Sequence, residues 1–157
     1  MSGDEVPPEH REALAIALAK LRGRGRFEGE IRHALESKGY EASADWVCEW
    51  LRERRIIDDP SLAKRLAESR TGKRAIGNER IRAELMKRGA PEETVERVLA
   101  AERTEDRTKD MLAVLSGRFR ASDARAKGAR FLLSRGFGAE EIEGALDQFF
   151  GAQEFPE

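Results

Sequence analysis

Apolar residues along this chain recur three and four positions apart, segment after segment, with polar residues between them. That spacing places them on one stripe of a helix. Leu14, Ala17, Leu18 and Leu21 form the first stripe, behind a Pro7–Pro8 pair suited to opening a helix. After the glycine-broken Arg22–Arg26 come Phe27, Ile31, Ala34 and Leu35, in a helix expected to stop at Gly39, then Val47, Trp50 and Leu51 with Trp46 beside them. A fourth helix carries Leu62, Ala63 and Leu66. Asp59 is its expected N-cap, with Pro60 at the first helical position. Thr71–Gly77 reads as a linker. Ile81 and Leu85 lead to Gly89, and Pro91, Glu92 and Glu93 open a helix with Val95, Val98 and Leu99 inward. Beyond a polar stretch, Met111, Leu112 and Leu115 mark another helix, and two more are predicted at about 122–135 and 138–150. No segment alternates with period two, so no sheet is expected.

Within this pattern one phrase is written three times: LESKGY at Leu35–Tyr40, LMKRGA at Leu85–Ala90 and LLSRGF at Leu132–Phe137. Aligning Gly39, Gly89 and Gly136 also aligns Leu35, Leu85 and Leu132 four residues earlier, and Lys38, Arg88 and Arg135 one residue earlier. Downstream, Val47/Leu51, Val95/Leu99 and Ile142/Leu146 are each an i, i+4 pair. The phrase ends a helix on a base that complements the negative end of its dipole, turns on a left-handed glycine, and starts a second helix that folds back. Such units are too small to bury much alone and must stack. The expected fold is all-α, an elongated array of three such units in series, with one helix or more to bridge them. Residues 1–21 form a tail and helix, 22–70 the first repeat, 71–118 the linker and second repeat, and 119–157 the third repeat with an acidic tail. Little chain follows Phe150, so the third repeat is expected to be truncated.

Composition sharpens this picture. Of 157 residues, 38% are charged and 6% aromatic, which suits a helical array with a lean core and much surface. The net charge of −1 gives no sign of a partner, but its distribution does. Between Lys64 and Arg88 there are nine Lys/Arg against three Glu; between Ala139 and Glu157 there are six acids and no base. The single cysteine, Cys48, excludes an internal disulfide and fits a reducing cytoplasm. No apolar run reads as a signal peptide or membrane span.

Candidate catalytic chemistry is sparse. Asp58–Asp59 sits at a helix start, where capping accounts for it better than catalysis. His10 and His33 lack ligand-spaced neighbours, so no metal is expected. Gly72–Lys73 lacks the remaining glycine and hydroxyl residue of a phosphate loop, and no strand precedes it. Cys48 reads as packed, and Trp46 and Trp50 as core residues.

The stretches RGRFEGEIRHALESKGY, IIDDPSLAKRLAESR, GNERIRAELMKRGAPEETVERVL and FLLSRGFGAEEIEGAL together resemble the successive motifs of the RecX family, regulatory proteins of the RecA recombinase. The resemblance runs from about Leu14 to Leu146. It implies three three-helix repeats, no catalytic residue, no cofactor, and a protein that lies in the groove of a RecA–DNA filament. Such a protein dampens ATPase and strand exchange in recombination, DNA repair and the SOS response. Three positions depart from the family's pattern: Phe27 where Ser is common, Asn78 where Pro is frequent, and the short chain after Phe150.

The resemblance favours the basic stretch as the interface, with Arg70, Lys73, Arg74, Arg80, Arg82, Lys87 and Arg88 as candidates. A RecA surface and the single-stranded DNA inside the filament both suit such a face. The expected species is a cytoplasmic monomer with no membrane contact. The alternatives are a helix-turn-helix-like protein binding DNA directly and a helical adaptor for another protein. Direct DNA binding would call for a strongly basic total, which the chain lacks.

Overall fold

The computed structural model describes residues 5–102 and 107–151. The extreme N-terminus, the polar stretch at 103–106 and the acidic tail beyond residue 151 lie outside the described residues. Every regular element among the described residues is helical: α1 (Pro8–Leu21), α2 (Glu28–Ser37), α3 (Glu41–Glu53), α4 (Asp59–Glu68), α5 (Asn78–Lys87), α6 (Glu92–Glu102), α7 (Arg107–Ser116), α8 (Arg125–Ser134) and α9 (Ala139–Phe150). A short 3-10 turn at Gly72–Arg74 precedes α5.

The repeated phrase does what its sequence implies. Gly39, Gly89 and Gly136 have φ of 85°, 88° and 89°, the left-handed region that glycine enters without a Cβ clash. The same two bonds follow at each site. The glycine N–H donates to Glu36, Met86 or Leu133, and the next residue's N–H donates to Leu35, Leu85 or Leu132. This pairing closes the orphan carbonyls of a helix end. The aligned leucines are buried, as are the pairs Val47/Leu51, Val95/Leu99 and Ile142/Leu146.

Three separate cores result. The first gathers residues of α1, α2 and α3 around Ile31, Leu35, Val47 and Leu51. The second gathers α4, α5 and α6 around Leu62, Ile81, Leu85 and Val95. The third gathers α7, α8 and α9 around Met111, Leu115, Leu132 and Leu146. Boundaries drawn from the phrase at 22, 71 and 119 fall one helix away from this grouping. Counted from the phrase, α1 stands apart and the third repeat ends with α9. Counted by core, α1 supplies the first trio's opening helix and each trio has three.

Two local expectations change. Asp58, not Asp59, is the N-cap of α4: its carboxylate accepts from the Ser61 N–H at 3.1 Å. Asp59 reaches across to the first trio and accepts from the Glu28 N–H at 2.9 Å. That contact supplies at α2 what Phe27 cannot, since Phe27 has no side-chain acceptor. Glu30 completes the start by accepting from the Phe27 N–H at 2.9 Å, while the Phe27 ring is buried in the second core. Thr71–Gly77 is likewise more than a linker. Ala75 is buried in the third core and Ile76 in the second, so this segment fastens two trios together.

Candidate interaction surface

The basic residues of α4, the 3-10 turn and α5 separate into three groups. In the first, α4 and α5 run close enough for Glu84 to sit between two guanidinium groups, 3.3 Å from Arg70 and 4.0 Å from Arg80. All three side chains are about half exposed. Lys73 and Arg74 project from the neighbouring turn and are exposed, with no ion pair among the described residues. The stem of Lys73 passes close to Gly117, at the end of α7.

The second group is engaged by partners within the chain. Arg88 donates to the Gly25 carbonyl at 2.9 Å and to Glu30 at 3.0 Å, across the joint to the first trio. Arg82 is held between Glu79 and Glu96, with bonds of 2.6 and 3.1 Å to the latter. Those bonds keep its guanidinium charged and draw the Glu96 carboxyl below its ordinary value. Lys87 forms a third group by itself. It borders a cleft of about 410 Å³ with Gly29, His33 and Gly89.

Arg135 belongs to the face and was not anticipated. It ends α8 in the third trio and donates to the Ala75 carbonyl at 2.8 Å and the Lys73 carbonyl at 3.3 Å. Burial lowers its pKa, and the positive charges of Arg80 and Arg70 lower it further; the following Gly136 packs directly against Arg80. Arg118 and Arg135 both lie over the Phe131 ring, at 4.6 and 5.7 Å from its centroid. The face therefore crosses from the second trio to the third. One sequence signal pointed there: Arg118, Arg120, Arg125, Lys127 and Arg130 crowd a short stretch with Asp123 as the acid among them. Arg125, however, is bound to Glu143 and Asp147 at 2.8 Å each.

The remaining candidates lie elsewhere. Cys48 is fully buried and burial pushes its thiol pKa up, away from reactivity. His10 stacks on Trp46 at 4.7 Å, Trp46 on Trp50 at 6.5 Å, and Arg54 covers Trp50 at 4.0 Å, a half-buried ladder over the first core. Among the described residues no cluster of three His, Cys, Asp or Glu could hold a metal ion, and no helix is long and apolar enough to cross a membrane.

No protein-family model matches the chain. Individual relatives do. The regulatory protein RecX of Thermus thermophilus is 38% identical over 126 residues, covering 80% of this chain and 84% of that one. That of Deinococcus radiodurans is 31% identical over 154 residues, covering 94% and 72%. The crystal structure of RecX from Lactobacillus salivarius superposes with a TM-score of 0.79 over 89% of this chain and 96% of that one, at 19% identity.

Proposed function

The chain belongs to the RecX family of regulatory proteins, and on that premise we propose that it is a non-catalytic regulator that binds the RecA–DNA filament and restrains its ATPase and strand exchange. The observation that carries the proposal is the meeting of two trios where Gly136 packs against Arg80, which brings Arg135 beside the Arg70 and Arg80 side chains that flank Glu84. Guanidinium forks suit an acidic partner through paired hydrogen bonds. Lys73 and Arg74 extend the face, and its position across a joint lets one partner touch two trios at once. A rod anchored at several points along a filament would resist the protomer motions that accompany ATP turnover.

The test is a DNA-dependent ATPase assay of the cognate RecA with this protein titrated in. Wild-type protein is expected to inhibit, less so as salt rises, because exposed charges are screened over about 8–10 Å near physiological ionic strength. A Lys73→Glu, Arg74→Glu, Arg80→Glu triple variant is expected to remain folded and to lose most inhibition. A folded variant that inhibits at wild-type concentrations would remove the face from the mechanism. Tight, salt-sensitive binding to bare single-stranded DNA, with no added affinity for the filament, would favour direct DNA binding.

A further inference from the structure

At the first joint a cleft of about 250 Å³ is lined by Gly25, Arg26, Arg55, Asp58, Ser61 and Arg65, none of them in the face described above. Its three arginines come from three places: the segment before α2, the turn between α3 and α4, and the middle of α4. Arg26 is aimed by two contacts. Its Nε donates to the Lys20 carbonyl at 3.3 Å, and its Nη1 lies 3.5 Å from Glu30. The Arg65 guanidinium lies against the backbone of Gly25, where an added Cβ would stand 3.5 Å from its Nη2 and 2.9 Å from Leu62. Among the described residues neither Arg55 nor Arg65 has a carboxylate partner. The one carboxylate in the cleft, Asp58, is engaged in capping α4.

Arg55 supplies the independent argument. It is the one non-glycine described residue with positive φ, at 54°. Glycine occupies that region without strain, and a Cβ is disfavoured there. Here Arg55 ends α3 with the bonds of the glycine phrase, its N–H donating to Arg52 and the Ile56 N–H to Leu51, so an arginine stands at a left-handed helix stop where Gly39, Gly89 and Gly136 stand elsewhere.

We propose that this cleft is a binding site for a phosphate ester, gripped by Arg55 and Arg65 with Arg26 behind them and the Ser61 hydroxyl at the side. A carboxylate offers two oxygens and is satisfied by one fork. The forks of Arg55 and Arg65 line the cleft from two elements without a carboxylate partner, and with the positive charge of Arg26 beside them they suit the three or more oxygens of a phosphate group. A nucleoside polyphosphate and the backbone of a nucleic acid share this chemistry.

The experiment is calorimetry on the intact protein at low salt with pyrophosphate, ATP and oligothymidylate as probes. Saturable binding of at least one is expected. Arg65→Gln and Arg55→Gly should each weaken it about tenfold, the loss of a charge-assisted contact. Arg55→Gly also relieves the backbone and should melt no lower than wild type, so its loss of binding cannot be a loss of fold. Binding of pyrophosphate and ATP would assign a free polyphosphate; binding of oligothymidylate that pyrophosphate displaces would assign a nucleic-acid backbone. The proposal fails if no probe binds, or if both variants bind within about twofold of wild type, far short of that tenfold loss.

Discussion

Arg135 donates to the carbonyl of Ala75 at 2.8 Å from sixty residues away, and this bond is the second copy of one already made upstream. Arg88 donates in the same way to Gly25 at 2.9 Å. Each acceptor lies two residues before the N-cap of the middle helix in the preceding trio, Gly77 in one case and Phe27 in the other. The base of the repeated phrase therefore does two things: it complements its own helix end, and it stitches its trio to the one before. A planar guanidinium presents its donors in a fixed, preorganised fork, which a single ammonium cannot match in reach or geometry, so lysine is a poor replacement.

Arg88→Ala should destabilise by about 2 kcal/mol, since it removes hydrogen bonds to a carbonyl and to a carboxylate. Arg88→Lys should recover only part of that. Urea denaturation of the three proteins checks both, and equal midpoints would show that the stitch carries no energy.

Glycines at the joints should divide by the reason each is glycine. Gly39 has positive φ but open space around it, so Gly39→Ala should cost only about 1–2 kcal/mol for the left-handed backbone. Gly77 has ordinary φ, but a Cβ there would collide with the Gly136 carbonyl, whose neighbour Arg135 accepts from the Gly77 N–H at 2.8 Å. Gly77→Ala must open the joint and should cost more than Gly39→Ala. Thermal melts of the two variants, side by side, decide the order.

Two carboxylates at the first joint should respond oppositely to acid. Burial works against the charge on Glu30, but the Phe27 N–H and the guanidinium groups of Arg88 and Arg26 outweigh it and hold the pKa below 4.5. Its contribution is present above that value and is lost as pH falls through the folded pKa. Asp59 is raised above 3.8, mainly by burial and then by the charges of Glu28, Asp58 and Glu30, against the Glu28 N–H that lowers it. Its ionisation therefore opposes folding, and stability is gained as pH falls through its folded pKa. Accordingly Asp59→Asn, which keeps an acceptor oxygen, should be at least as stable as wild type at pH 7. Asp59→Ala should lose about 1 kcal/mol as a missing cap. Glu30→Gln should flatten the acid limb of the wild-type stability curve. An Asp59→Asn protein less stable than Asp59→Ala would refute this account.

Small-angle scattering should return an elongated particle, because the three cores are built separately. A profile matching a compact sphere of the same mass would contradict the array.

The sequence reveals most clearly the features that repeat. Glycine at a fixed distance from a leucine and from a following apolar pair identifies a helix end and its core without knowledge of neighbours. Where tertiary partners decide, it is silent. Asp58 and Asp59 are both plausible caps, and only the Glu28 N–H across the joint separates their roles. Thr71–Gly77 looks like a linker because its polar residues outnumber Ala75 and Ile76, which enter two different cores. A base at a helix C-terminus reads alike whether water or a distant carbonyl meets it, so Arg88 looks solvated. The cleft of Arg26, Arg55 and Arg65 is scattered over forty positions and becomes visible only when folded.

At the first copy of the phrase the chemistry differs. Lysine stands at the stitching position, Gly39 faces open space, and the following Tyr40 is partly exposed, its phenol pKa raised by Glu12 on α1. In the other two copies that next residue, Ala90 or Phe137, is buried. A further unit meeting this face would find a single ammonium in place of a fork and a half-exposed tyrosine in place of a buried side chain. The stitch made by Arg88 and Arg135 thus has no counterpart at Lys38 among the described residues, and this face differs in kind from the two that are joined.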